Sequence, residues 1–96
     1  MPTPVTRENS EWISALRQQG EARERAVADL REILVRGLRH GLRAWLEPDS
    51  ASLESLAQES AQEAVLRIIA KLDTFEGRSR FTTWAHKVAI RIALTE

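Results

Sequence analysis

Cysteine and tyrosine are missing from this chain of 96 residues, and proline and glycine are few, three and four in number. Without cysteine there is no disulfide framework and no thiolate metal site, which suits a reducing compartment. No apolar run approaches the roughly 20 residues that span a bilayer. The N-terminus, Met1-Pro-Thr-Pro-Val-Thr-Arg7, lacks the charged-then-apolar layout of a secretory leader. A soluble, cytoplasmic protein is therefore expected. So few turn-formers, and no alternation of β-branched residues, predict an all-α fold, a compact bundle of about four helices. No Gly-rich phosphate loop, nucleophile motif or paired-carboxylate constellation occurs, which argues against an enzyme, and no cofactor is called for. His40 and His86 are too far apart, with no close carboxylates, to suggest a metal site, and are expected at the surface.

The residues that are present organise by helical period. Residues 1–9 read as a flexible tail ahead of a helical domain over 10–96, with two prolines and two threonines in its first six positions. Asn9 or Ser10 is placed to cap a short helix over 11–19 with Trp12, Ile13 and Leu16 on one face, ended by Gly20. Over 21–46 the apolar residues Ala26, Val27, Leu30, Ile33, Leu34, Leu38, Leu42, Trp45 and Leu46 recur at three- and four-residue intervals, as in an amphipathic helix. Gly37 and Gly41 interrupt it and predict close approach by another helix. Arg36, Arg39 and Arg43 lie near one side, as a second charged patch or as partners of acids on the next helix.

Pro48 and Asp49 mark a break, and Ser50 or Ser52 is placed to cap a third helix reaching about Leu72. Its buried stripe is Leu53, Leu56, Ala57, Ala61, Ala64, Val65, Ile68, Ile69 and Leu72. A turn with Gly77 in a left-handed conformation follows, and Ser79 is placed to cap a fourth helix with Phe81, Trp84, Ala85, Val88 and Ile92 on its apolar side. Phe81 is expected in the core and Trp84 partly exposed. That pattern reaches Glu96 without a stop signal, so the domain reads as truncated at its C-terminal end. Ile92 and Leu94 would then lack full cover, and a tendency to self-associate is expected.

Charge is segregated although the whole chain has none in excess. Residues 51–76 hold five acids and two bases, whereas 77–95 hold Arg78, Arg80, Lys87 and Arg91 and no acid. Cations interleaved with aromatics suit phosphates and unpaired bases. The plainer alternative is two solvated helix faces, with Glu63 and Arg67 paired four residues apart for a few tenths of a kcal/mol.

The segment Gln62-Glu-Ala-Val-Leu-Arg-Ile-Ile-Ala-Lys-Leu-Asp-Thr-Phe-Glu-Gly-Arg-Ser-Arg-Phe-Thr-Thr-Trp-Ala-His-Lys-Val-Ala89 resembles region 2 of bacterial sigma-70 family RNA polymerase sigma factors, closest to the extracytoplasmic-function type. The shared elements are Gln62-Glu63, Leu72-Asp73-Thr74-Phe75, the glycine turn and Ser79-Arg80-Phe81-Thr82-Thr83-Trp84. Leu56, Gln58, Glu59 and Ser60 stand where that family usually has Asp, Glu, Asp and Leu, Ala85 where it has Leu, and Arg91 where Asn is common. The family's downstream loop and helix-turn-helix domain have no counterpart in this sequence.

The resemblance implies a transcription initiation factor that docks on core RNA polymerase, at the clamp helices of its largest subunit. It implies, too, recognition and opening of the −10 promoter element on the non-template strand. Carried over by position, Glu59, Gln62, Glu63 and Arg67 form the docking face, and Arg78, Ser79, Arg80, Thr83, Trp84, Lys87 and Arg91 meet DNA. An anti-sigma factor is a further partner it allows. The alternative is a non-catalytic helical module for protein interaction or dimerisation.

Overall fold

The computed structural model describes residues 7–45 and 51–95, and every regular element among them is helical. Helix α1 (Asn9–Arg17) begins with a capping box in which the Glu8 N–H donates to the Glu11 carboxylate at 2.8 Å. Asn9 and Ser10, expected as caps, lie inside the helix, and the Asn9 side chain is engaged elsewhere. Gly20, with φ 88, stands at the N-terminal boundary of α2 (Glu21–Gly41) and turns the chain between the two helices.

Past Gly41 the helix tightens into a 3-10 turn (Leu42–Ala44). Its 120° step per residue replaces 100° and carries Trp45 off the buried stripe, so this tryptophan, expected among the core residues, is 64% exposed. Leu46, Pro48, Asp49 and Ser50 lie outside the described residues. Helix α3 (Ala51–Ala70) already contains Ser52, and its last turn passes into a 3-10 turn (Leu72–Thr74) that keeps Leu72 buried.

Helix α4 (Phe81–Thr95) closes the bundle. Its expected cap, Ser79, instead donates its hydroxyl to the Arg80 carbonyl, and the Phe81 N–H is satisfied by Asn9 Oδ1 at 2.7 Å. Ile92, expected to lack cover, is buried at 3% exposure, whereas Leu94 stays half exposed. The reason is that Ile92 continues the inward stripe of Phe81, Ala85 and Ala89, while Leu94 falls outside it.

Helix α2 is the central element, packed by α1, α3 and α4. Leu30, Leu34 and Leu38 are fully buried along it, and Leu42 continues them in the 3-10 turn. Helices α3 and α4 pack together, and each buries small residues, Ala57, Ala61 and Ala64 on one and Ala85, Ala89 and Ala93 on the other. Short side chains there let the backbones approach closely while the larger residues fill the space beside them.

The crossing of α2 and α4 shows why glycine occupies two helical positions. A Cβ on Gly37 would lie 2.7 Å from His86 Nδ1, and one on Gly41 would lie 3.1 Å from Ile90 Cδ1. His86, expected at the surface, is thus half-buried, its ring seated over Gly37. The helices run in the same direction, since 37 meets 86 and 41 meets 90.

Gly37→Ala is therefore expected to lower stability by about 1–3 kcal/mol through overpacking. In a His86→Ala background the same change should raise stability by up to about 1 kcal/mol, because only the helix-propensity gain remains. Urea denaturation of the four proteins in this cycle reads the reversal of sign.

Candidate nucleic-acid interface

The basic segment begins where α3 ends. Lys71 N–H is shared between the carbonyls of Arg67 and Ile68, and the Lys71 carbonyl accepts from both the backbone and the hydroxyl of Thr74. These bonds close the helix end and send the chain outward to Gly77, whose φ of 77 is the left-handed geometry expected for it. Arg78 follows, exposed, with Glu76 at 3.2 Å. The Arg80 carbonyl then accepts from the N–H groups of Thr83 and Trp84, starting α4.

Four aromatic rings hold this turn against the body. Phe81 is 1% exposed and lies stacked on Trp12 at 5.6 Å, with Phe75 edge-on at 5.4 Å and Trp84 tilted at 5.5 Å. Trp84 also meets Phe75 at 5.1 Å and is left half-buried. Ring centroids at these separations contribute beyond the area they bury, on the order of 0.5–1.5 kcal/mol per pair.

Outside the aromatic cluster, Thr83, Lys87 and Arg91 recur every fourth residue and are all exposed, with Arg80 one turn before them. Among the described residues no ion pair involves Arg80, Lys87 or Arg91, whereas Arg7, Arg17, Arg25, Arg36, Arg39 and Arg67 each have an acidic partner. The stripe therefore keeps its positive charge unneutralised by neighbours. Ser79 is half-buried and its carbonyl is occupied by Asn9, so it stands apart from the exposed cations.

On α3 the other predicted residues gather on one exposed arc. Glu59, Gln62 and Arg67 are exposed, and Glu63 is half-buried with its carboxylate accepting from Arg67 Nε at 3.1 Å. Between them stands Leu66, 62% exposed, which the sequence reading assigned to neither face. Its signal was its register: Val65 and Ile68 claim the inward side, and 66 lies between 62 and 63 in projection. One member of the arginine cluster on α2 is a partner of α3, since Arg39 makes a two-pronged contact with Glu54 at 2.7 Å for each bond.

The family model for sigma-70 region 2 matches residues 34–96. The chain belongs to the sigma-70 region 2 family. No curated protein and no solved structure matches it. Sigma-70 region 2 is a part of non-catalytic transcription initiation factors, and the all-α architecture agrees with that family. The matched span takes in the last eight residues of α2, all of α3, the basic turn and α4, so both exposed arcs fall inside the match. Helix α1 precedes the matched span. No helix among the described residues is long and apolar enough to cross a membrane.

Besides Arg39, whose bond to Glu54 raises its proton affinity, two groups in this region 2 carry lowered ones. Hydrogen bonds from Arg39 and Gln58 hold the Glu54 carboxyl at about 2, and burial pushes the His86 imidazole below its ordinary value. Both folded values lie below the unfolded ones, so both contributions are present at high pH and lost on acidification. His86 should begin to cost stability below about pH 6.5, and Glu54 below about pH 4.5. Melting temperatures between pH 7.5 and 5.5 should fall less steeply for His86→Leu than for the parent, whereas Glu54→Gln should lower the melting temperature throughout that range and flatten its fall only below about pH 4.5.

Proposed function

We propose that this chain is region 2 of an extracytoplasmic-function type sigma factor acting in the bacterial cytoplasm, with residues 10–96 as the region 2 unit. The exposed arc of α3 docks on core RNA polymerase, at the clamp helices of the largest subunit. The basic turn and α4 bind the non-template strand and help recognise and open the −10 promoter element. The observation that carries this reading is the row of unpaired cations, Arg80, Lys87 and Arg91, standing beside the half-buried Trp84 within a chain of the sigma-70 region 2 family. Phosphates bind the cations and an unpaired base stacks where an aromatic face is free. An anti-sigma factor would act by covering either arc.

Docking is tested by charge reversal. Glu59→Lys with Glu63→Lys should weaken binding to core polymerase at least tenfold while leaving the circular dichroism of the chain unchanged. Equal binding by variant and parent would return these acids to the role of a solvated face and favour the interaction-module alternative.

DNA binding is tested through salt. Each phosphate neutralised on a single strand contributes about −0.7 to the slope of log affinity against log salt. Lys87→Ala with Arg91→Ala should make the slope for the non-template strand shallower by about 1.4 in reconstituted holoenzyme. An unchanged slope together with unchanged promoter opening would remove these residues from the interface.

A further inference from the structure

Helix α1 spans the basic turn from outside the sigma-70 region 2 match, and it grips the turn at both ends. At its start, Asn9 Oδ1 accepts from the Phe81 N–H at 2.7 Å while Asn9 Nδ2 donates to the Ser79 carbonyl at 2.9 Å. At its end, Arg17 pairs with Asp73 in the 3-10 turn. Between these points Trp12 lies nearly parallel on Phe81, at an interplanar angle of 16°. The first turn of α1 is in turn fixed to α2, because Arg7 pairs with Asp29 at 2.9 Å and its guanidinium sits 4.6 Å over the Trp12 ring. Residues 7–9, expected in the flexible tail, are thereby tied to the helical body.

Apart from the contacts of Phe75 with Phe81 and Trp84, the turn has little else to hold it. Among the described residues, no backbone-to-backbone hydrogen bond outside the helices is donated or accepted by residues 76–79, the stretch that carries Gly77 and Arg78. Asn9 reaches across 70 and 72 positions of sequence to fasten the carbonyl of Ser79 and the amide of Phe81, the residues on either side of Arg80. A loop fixed before binding loses less conformational freedom when it binds, and the saving appears as affinity.

We propose that α1 is the positioning element for the DNA-facing turn of this protein, and that Asn9 is its positioning residue. The inference rests on the assignment of the turn and α4 to promoter DNA. Asn9 touches no nucleotide in this role; it sets where Arg78 and Arg80 stand.

The test uses the whole chain in reconstituted holoenzyme, with a fluorescent single strand carrying a −10 element as probe, and compares the parent with Asn9→Ala, Asn9→Asp, Arg17→Gln and the Lys87 and Arg91 double variant. Asn9→Ala should speed amide exchange at Phe81 about tenfold, the loss expected of a helix cap, and weaken the strand about tenfold with core affinity kept within twofold. Asn9→Asp retains the acceptor and should restore Phe81 protection; failure of that rescue overturns the cap. Arg17→Gln alters an exposed pair that the fold does not need and should weaken the strand about twofold. Parental strand affinity in Asn9→Ala and Arg17→Gln, with the Lys87 and Arg91 variant still weakened, overturns the role of α1 and leaves the DNA assignment standing. If all three bind as the parent does, the DNA assignment and the role of α1 fall together. Equal loss of core and strand binding in Asn9→Ala would mark a general folding role and likewise overturns the proposal.

Discussion

The first residue of α4 has to be buried, and most of the molecule is arranged to make that possible. The Phe81 ring gains on the order of 1.5–3 kcal/mol by leaving water, but its backbone N–H belongs to the first turn of a helix, where no carbonyl precedes it. Burying the ring while stranding the amide would forfeit a comparable amount. Asn9 resolves the conflict, and to do so α1 must lie where its own Trp12 covers the same ring. The aromatic cluster, the cap and the placement of α1 are thus one requirement met at one point.

Electrostatics contributes differently. The ion pairs on the surface of this chain are mostly exposed on both sides, and such pairs stabilise by at most about 1 kcal/mol each. Their larger effect is to neutralise: Arg25, Arg36 and Arg39 of α2 and Arg67 of α3 each face a nearby acid, whereas Lys87 and Arg91 of α4 do not. What distinguishes α4 is the lack of acids along its length, so that its cations face solvent without internal competition. Exposed charges of this kind act over roughly 8–10 Å at ordinary ionic strength, enough to gather a polyanion before contact.

Much of this was readable in advance. Helical period located all four helices, and the pair Gly37 and Gly41 announced a close crossing because glycine inside a helix is costly unless space demands it. Gly77 and the buried Phe81 were likewise visible as a turn signal and an apolar-face aromatic. What escaped depended on contacts across the chain. Trp45 left the core because α2 tightened into a 3-10 turn, which no periodicity foretells. Ser79 does not cap α4 because Asn9, distant in sequence, accepts from the Phe81 N–H. His86 gained cover from a missing side chain on a neighbouring helix. Leu66 fell between two faces, apolar in type and polar in register. Of the residues assigned to the two arcs, every cation stands exposed, together with Glu59, Gln62 and Thr83, whereas Glu63, Ser79 and Trp84 are half-buried.

The three tryptophans have a practical consequence. They lie in three parts of the chain and at three depths: Trp12 sealed at 2% exposure, Trp84 half-covered, and Trp45 at 64%. With no tyrosine in the chain to transfer excitation, the near-ultraviolet emission comes from these indoles alone. A collisional quencher meets Trp45 first, a group stacked on the open face of Trp84 would darken that indole, and release of α1 would bring Trp12 into water. The protein carries its own set of optical probes, one for each layer between solvent and core.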